Sequence, residues 1–204
     1  MVYRRTERVV EQLVDRRDRI LTAARDLVTR GGLRAAHMTA IAGGAGLAAG
    51  TIYRYFPSKA DLFAEVLGRI AERELAVVSA IASAPGQPRD RLAATVRVFV
   101  TRAIRGRHLA RALIVEPADM ALEPARLAYR QALGRLLEAN LRDGIAAGDF
   151  PAQDVAVTAA CMLGGCIEAL VGALAPDRAT ADDQASALGE SVVGFCVRAA
   201  GASG

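Results

Sequence analysis

The side chains best suited to chemistry lie within one short stretch, residues 48–59. Hydroxyl and cationic groups cluster there: Thr51, Tyr53, Arg54, Tyr55 and Lys59. Groups of this kind are typical donors to the phosphate oxygens of a nucleic acid. The small residues Ala48-Ala49-Gly50 precede them and would let a helix approach a partner closely. The chemistry that the stretch predicts is therefore nucleic-acid binding.

The distribution of charge agrees with that prediction. Residues 1–60 hold 11 Lys+Arg against 5 Asp+Glu, a net charge of +6, whereas residues 81–204 hold 13 of each. A local basic excess favours a polyanionic partner, DNA before membrane. A solvated basic surface is the alternative, and charge alone does not separate the two interpretations.

The elements around this stretch are predicted to be helices. Apolar residues at helical spacing predict a helix over 15–30, which Gly31-Gly32 would end. Two short helices, at about 38–45 and 49–55, are separated by a turn at Gly46-Leu47. This order is that of a helix-turn-helix, whose second short helix enters the major groove of DNA.

The rest of the chain also predicts helices, and it shows no strand alternation. We expect helices at about 59–83, 89–105, 108–115, 124–147, 153–174 and 181–199. The fold class is therefore all-α, with an N-terminal three-helix DNA-binding head and a helical-bundle domain for ligand binding and dimerisation. The predicted organisation is a flexible basic arm (1–14), the head (15–60), a linking helix (59–83) and the second domain (84–204).

One pattern resembles a known family, the TetR/AcrR-type transcriptional repressors. The resemblance covers about residues 15–65. It is carried by Met38-Thr39-Ala40-Ile41-Ala42, Ala45-Gly46-Leu47, Gly50-Thr51-Ile52-Tyr53-Arg54-Tyr55-Phe56-Pro57-Ser58-Lys59 and Leu62-Phe63. Beyond it, only the helical layout is similar.

The resemblance implies roles for individual residues. Those that match base-facing positions are Thr39, Ala49, Gly50 and Tyr53, and those that match phosphate contacts are Thr51, Tyr55 and Lys59. Because Ala49 and Gly50 offer almost no polar reach, we expect Arg54 to help Thr39 and Tyr53 in reading the bases, with DNA shape supplying the remainder. Lys59 is the single lysine beside 25 arginines, which suggests a specific geometric need, with chance as the alternative.

Two positions depart from the family pattern. His37 stands where the family commonly has a Ser or Thr cap, and both a phosphate contact and a merely exposed side chain are consistent with it. Ala48 lacks the usual capping hydroxyl of the recognition helix, so that helix is expected to be held less firmly before DNA binds.

The resemblance also implies a homodimer on a near-palindromic double-stranded operator. The last two helices are rich in small and apolar residues that would let helices pack closely. The predicted interface residues are Ala160, Gly164, Glu168, Leu188, Val192 and Phe195. An ordinary monomer core is the alternative interpretation of this pattern.

A small hydrophobic effector of unspecified identity is expected among the middle helices. The candidate lining residues are Phe99, Ala103, Leu113, Met120, Tyr129, Leu133, Met162 and Cys166, all of which suit a plain core equally well. Glu168 lies inside an apolar helix and must find a partner. A cationic ligand and an Arg across the dimer are both possible partners, and the sequence favours the structural pair.

Other classes of protein fit less well. An enzyme needs a converging nucleophile, base or metal set, but the two histidines and three cysteines show no metal-type spacing, so neither a metal nor a cofactor is expected. The apolar stretch 155–175 contains Glu168 and is expected to be a soluble core or dimer helix, not a membrane span. The N-terminus lacks an apolar signal core, which predicts a cytoplasmic protein. In that compartment the three cysteines are expected to be reduced, buried thiols, with a redox switch as the less favoured interpretation.

The sequence therefore predicts a regulator, most simply a repressor that a small effector releases from DNA. An architectural protein whose head no longer binds DNA is a competing hypothesis that rests on Ala48 and Ala49. Activation and repression use the same features, and the operator, the effector and the regulated genes are not specified by the sequence.

Overall fold

The computed structural model describes residues 2–116, 120–175 and 182–201, and within them every regular element is helical. The α-helices are α1 (Val2–Ala35), α2 (Met38–Ala45), α3 (Ala49–Ile52), α4 (Lys59–Ala82), α5 (Pro88–Arg105), α6 (Arg107–Ala110), α7 (Glu123–Ala147), α8 (Val155–Ala173) and α9 (Asp182–Ala199). A π-helical turn (Arg111–Val115) follows α6, and a 3₁₀ turn (Met120–Leu122) precedes α7. The predicted all-α fold is confirmed.

The head is built on the inner faces of α1 to α4. Buried apolar side chains from each of these helices form one core: Ile20, Leu21, Ala24, Val28, Ile41, Ala45, Ile52, Phe56, Leu62, Phe63 and Val66. Helix α2 ends at Gly46, whose left-handed backbone (φ 64°) turns the chain towards α3. Only glycine adopts that conformation without strain, so the predicted turn has its physical cause in this residue.

Two helix boundaries differ from the sequence-based prediction. The backbone is helical from Val2, so within the segment predicted as an arm, 1–14, residues 2–14 form the N-terminal part of α1, and residue 1 lies outside the described residues. At the other end Gly32 has φ 73° and ψ −175°, which interrupts the helix where the glycine pair predicted a stop. A further turn then reaches Ala35.

Helix α3 is shorter than predicted and ends at Ile52. The next amides donate to carbonyls three residues earlier, as in turns: Arg54 N to Thr51 O at 3.2 Å and Tyr55 N to Ile52 O at 2.9 Å. Pro57 follows, and a residue that precedes proline is disfavoured in the helical region. The chain therefore tightens into turns before α4 begins.

The second part of the molecule is a bundle with α5 near its centre. Helix α5 packs against α4, α7, α8 and α9, and α8 packs on both α7 and α9. The long helix α4 belongs to both parts, because it packs against α1 in the head and against α5 and α7 in the bundle. The predicted helix over 108–115 is instead α6 followed by the π-helical turn.

A close approach in the bundle gives a prediction with a matched control. A Cβ added at Gly144 would overlap the buried ring of Phe150, whereas one added at Gly134 on the same helix meets nothing within 4 Å. We expect Gly144→Ala to lower the free energy of unfolding by about 1–3 kcal/mol. Gly134→Ala is expected to raise it by up to about 1 kcal/mol, because alanine is favoured over glycine inside a helix and its Cβ has room there. Thermal unfolding measures both changes, and an equal shift in the two variants would contradict the packing argument.

Candidate DNA interface and effector cavity

The sequence-predicted DNA-binding residues surround α2 and α3, and none of them is buried. The exposed ones are His37, Thr39, Gly50, Tyr53, Arg54 and Lys59, and the half-exposed ones are Ala49, Thr51 and Tyr55. Tyr53 has 51% of its surface exposed, although its neighbour Ile52 is fully buried. A large exposed aromatic residue beside a buried anchor is suited to contacting a partner.

A second group of residues holds α3 in place on its buried side. Phe56, 2% exposed, is covered by the Arg17 guanidinium, whose carbon lies 4.9 Å from the ring centroid. Arg17 also forms a two-pronged ion pair with Glu65 of α4. The arginine therefore joins α1, the turn after α3 and α4. This clamp of Arg17, Phe56 and Glu65 is not visible in the sequence, because Arg17 and Glu65 are 48 residues apart.

The joint between α1 and α2 is equally close. Arg19 donates a hydrogen bond to the carbonyl of Ala45, the last residue of α2, with Nη2 and O 2.5 Å apart. A Cβ at Gly44 would lie 3.1 Å from that of Ala23, so the two helices nearly touch there. These contacts fix the angle of α2, which carries Thr39.

Lys59 begins α4 at a well-capped terminus. The Ser58 hydroxyl accepts from the Asp61 amide at 3.0 Å, and the Asp61 carboxylate accepts from the Ser58 amide at 3.0 Å, which is a capping box. The Lys59 ammonium lies 5.4 Å from the centroid of the Phe63 ring. The lysine is thus held near the helix N-terminus while its side chain stays exposed.

The two short helices lack this support at their own N-termini. Neither His37, the N-cap of α2, nor Ala48, the N-cap of α3, forms a side-chain cap hydrogen bond. For Ala48 no such bond is chemically possible. The Thr51 amide donates to the Ala48 carbonyl at 2.8 Å, whereas the first amides of α2 and α3 receive no bond from an N-cap side chain and are available to an external acceptor such as a DNA phosphate.

A small cavity lies in the bundle below the head. Its enclosed space is about 30 Å³, and its walls come from α4, α5, α6, the π-helical turn and α7. The lining residues are Glu74, Val78, Phe99, Arg102, Ala103, Gly106, Leu109, Ala110, Leu113, Ile114 and Tyr129. Four of the sequence-predicted pocket residues are here: Phe99, Ala103, Leu113 and Tyr129.

A second void of about 20 Å³ adjoins the first, and Val78 and Phe99 line both. It contains two more predicted residues, Leu133 and Cys166, together with Thr95, Val96, Leu137 and Leu163. Two predictions fail. Met120 is 88% exposed, because it lies on the outward side of the 3₁₀ turn, whose Leu122 is the residue buried against the bundle, and Met162 is fully buried without lining either void.

The polar part of the first cavity was not predicted. Arg102 Nε and Nη2 donate to Glu74 Oε2 and Oε1 at 2.7 and 2.9 Å. The hydrogen bond with Glu74 raises the pKa of Arg102, against a smaller opposing effect of burial. Burial, and then the nearby Glu74 charge, raise the pKa of Tyr129 well above its ordinary value. The cavity therefore contains an ion pair, Arg102 with Glu74, next to the uncharged phenol of Tyr129.

The segment that walls the cavity also touches the head. Arg111, in the π-helical turn, donates to the Leu174 carbonyl at 2.7 Å and lies 3.4 Å from the Glu116 carboxylate. A Cβ built on Gly32 of α1 would lie 3.6 Å from Glu116 Oε1. Beside these contacts an open cleft of about 680 Å³ separates head from bundle, lined in part by Arg34, Lys59 and His108.

The outer face of α8 and α9 contains most of the predicted dimer residues. Ala160, Gly164 and Glu168 are exposed, Phe195 is 43% exposed and Leu188 is half-buried. Val192 differs, since it is buried in the core of its own chain. Glu168 faces outwards with no ion-pair partner among the described residues and lines neither void.

The three cysteines lie in no cluster of metal-binding side chains among the described residues. Among residues 2–116, 120–175 and 182–201 no group of three potential ligands is suitably placed for a metal ion. Cys161 is exposed, and the buried Sγ atoms of Cys166 and Cys196 are 3.6 Å apart. Their mutual hydrogen bond, and then burial, raise the pKa of the Cys166 thiol. A protonated buried thiol is a poor nucleophile, which favours a packing role.

Helix α8 is long and apolar enough, by length and composition alone, to cross a bilayer. Only 28% of its most apolar window is buried within one copy of the chain. The exposed remainder is the outer face already described, with Val157 at 58% and Val171 at 38% exposure. A helix of this kind is expected wherever two copies pack together.

Comparison with known proteins places this architecture. Residues 20–66 match the bacterial regulatory proteins of the tetR family, and residues 87–202 match the tetracyclin repressor-like C-terminal domain. The HTH-type transcriptional repressor KstR of Mycolicibacterium smegmatis (strain ATCC 700084 / mc(2)155) is 46% identical over 78 residues. That match spans 38% of each chain, so it covers well under half of the relative.

Solved structures show the same fold over nearly the whole chain. The transcriptional regulator FadR from Bacillus subtilis, in complex with stearoyl-CoA, superposes with a TM-score of 0.74 at 21% identity, covering 89% of this chain and 97% of that one. RolR, in complex with resorcinol, superposes with a TM-score of 0.66 at 22% identity, covering 94% and 95%. The C-terminal domain match alone spans more than half of the residues. The chain belongs to the tetR family of bacterial regulatory proteins.

Proposed function

We propose that the chain is a homodimeric, cytoplasmic transcriptional repressor that a small apolar effector releases from a near-palindromic operator. The observation that carries the proposal is the separation of side chains around α2 and α3. All nine sequence-predicted contact residues are exposed or half-exposed there, whereas the apolar residues between them, Ile41, Ile52 and Phe56, are buried. Repression is the activity named for KstR, whose sequence is similar over part of its length.

The C-terminal cavity supports the effector part of the proposal. Its walls include Leu109 to Ile114, and this segment reaches Gly32 of the head through Glu116. A ligand that forces the walls apart would strain these contacts and favour a different head position. Two proteins of similar fold were solved with small organic ligands, FadR with stearoyl-CoA and RolR with resorcinol, which supports a small-molecule effector here.

The outer faces of α8 and α9 supply the proposed dimer contact. Small residues and exposed apolar side chains alternate there, and a dimer would cover Val157, Gly164, Val171 and Phe195. A helix-turn-helix dimer must hold its two recognition helices about one DNA turn apart. The domain assignment that follows is the head at 15–60, α4 as the link and the bundle as effector and dimer domain.

Salt dependence of DNA binding tests the proposal directly. In gel shifts on the DNA upstream of its own gene, we expect Lys59→Ala to lower the slope of log affinity against log salt by about 2, because each dimer loses two phosphate contacts of about 0.9 each. Arg73→Ala, an exposed cation further along the same helix, is the matched control and is expected to leave the slope unchanged. Wild-type protein that shows no salt-sensitive binding would overturn the proposed function.

A further inference from the structure

The first cavity contains one polar group that the protein itself does not use. Tyr129 is only 5% exposed, and its side chain lines the cavity with Phe99 and Leu113. Among the described residues its hydroxyl takes part in no hydrogen bond. No fully enclosed side-chain oxygen or nitrogen in that part of the chain lacks a partner, so the hydroxyl must reach the open space of the cavity. The phenol is therefore a donor without a protein partner that opens on the cavity, where a bound ligand can accept from it.

The charges beside Tyr129 restrict what can meet that donor. Arg102 and Glu74 satisfy each other through two hydrogen bonds of 2.7 and 2.9 Å. An anionic ligand would have to displace Glu74 from Arg102 or approach its carboxylate, and either change is unfavourable in a partly buried site. A neutral acceptor can bond to the phenol and leave the ion pair intact. The raised pKa of Tyr129 keeps this phenol protonated across the physiological range.

The shape of the cavity indicates the rest of the ligand. The two voids are small, about 30 and 20 Å³, and Val78 and Phe99 form walls of both, so an effector must widen them to enter. A ligand that displaces the Phe99 ring would occupy both voids, of which only the first is lined by Tyr129. The far void is apolar, since the Thr95 hydroxyl there already donates to the Arg91 carbonyl at 2.7 Å. The far void therefore suits an apolar tail.

We infer that the effector is a neutral, elongated apolar molecule with one hydrogen-bond acceptor, a ketone, ester or thioester carbonyl, which accepts from the Tyr129 hydroxyl. The inference deepens the proposed function, on which the word effector rests. Binding of the ligand at Tyr129 can be measured whether or not the chain binds DNA. Tyr129 is in this view the residue that distinguishes a carbonyl compound from a hydrocarbon or a free acid of the same length.

The test uses three matched probes on the full chain. These are 2-octanone, 2-methyl-1-octene, which replaces the carbonyl oxygen by a methylene group, and octanoate. For wild type we expect 2-octanone to bind more tightly than either of the others in titration calorimetry. Tyr129→Phe should weaken 2-octanone binding by about 2- to 12-fold, the range for loss of one hydrogen bond, and leave 2-methyl-1-octene unchanged.

Several results would overturn the inference. Equal or unmeasurable binding of 2-octanone and the alkene, an equal loss for both in Tyr129→Phe, or tightest binding of octanoate would each do so. The last outcome would make Arg102 the recognition group. Gel shifts on the same preparations keep the two proposals apart. If wild type does not bind DNA but the ketone and alkene still differ through Tyr129, the proposed function fails and the ligand assignment stands.

Discussion

Gly50→Leu is expected to abolish most operator binding while leaving the chain as stable as before, or more so. Gly50 has a helical backbone in α3, and a Cβ added to it meets nothing within 4 Å. The protein therefore has room for a side chain, and leucine favours a helix over glycine by up to about 1 kcal/mol. A DNA groove packed against α3, as proposed, would leave no such room. Disrupted base contacts of about 1–3 kcal/mol in each head would weaken a dimer by about 30-fold or more.

The matched control for this variant is Gly68→Leu. Gly68 lies in α4, where an added Cβ also meets nothing within 4 Å, and it is outside the predicted DNA surface. Gel shifts and thermal unfolding of both variants separate a blocked interface from a damaged fold. A Gly50→Leu protein that keeps full operator affinity would show that α3 does not enter the groove.

Gly164→Arg is expected to convert the dimer into folded monomers. A Cβ at Gly164 also meets nothing within 4 Å in a single copy, and the residue is exposed on the outer face of α8. A two-fold interface contains each residue twice, so two unpaired guanidinium groups would be buried together. With a penalty of several kcal/mol for each unpaired ion, the dimer dissociation constant should rise by at least about 100-fold. Operator binding should fall with it, because one head alone holds only one half-site.

Sedimentation measures the mass change, and Gly134→Arg provides the comparison. Gly134 is on α7 with equally open space around its Cα, and this variant is expected to remain dimeric. Retained dimerisation in Gly164→Arg would direct the search for the interface to another face. Circular dichroism should show native helix content in both variants, since neither arginine meets the core.

Local signals predicted most helix ends correctly. Gly46 and Gly148 both adopt left-handed backbones at the C-terminal ends of helices that their positions predicted. The head was predictable because its residues are close in sequence and their roles follow from a compact motif. The clamp of Arg17, Phe56 and Glu65 was not, since three unremarkable residues meet only in the folded chain.

The bundle shows where sequence patterns lose their power. Met162 was predicted to line the pocket and Val192 to lie in the dimer interface, but both are buried in the core of their own chain. Apolar periodicity does not say whether an apolar residue faces a void, a dimer partner or its own core. The Glu74–Arg102 pair was missed for a related reason, because charged residues on amphipathic helices are usually solvated. Met120 was misplaced because hydrophobicity alone suggested a pocket residue, whereas the 3₁₀ turn holds it at the surface.

Helix α4 has a mechanical consequence because it is shared between the two parts of the molecule. Its first residue, Lys59, is a proposed phosphate contact, and its fifth turn carries Glu74 to the cavity wall. At 1.5 Å per residue these two positions are about 22 Å apart along the axis. A rotation of about 5° about the Glu74 end would therefore move Lys59 by about 2 Å. A ligand that tilts α4 by this small angle at the cavity would therefore displace Lys59 by a distance comparable to the length of a hydrogen bond.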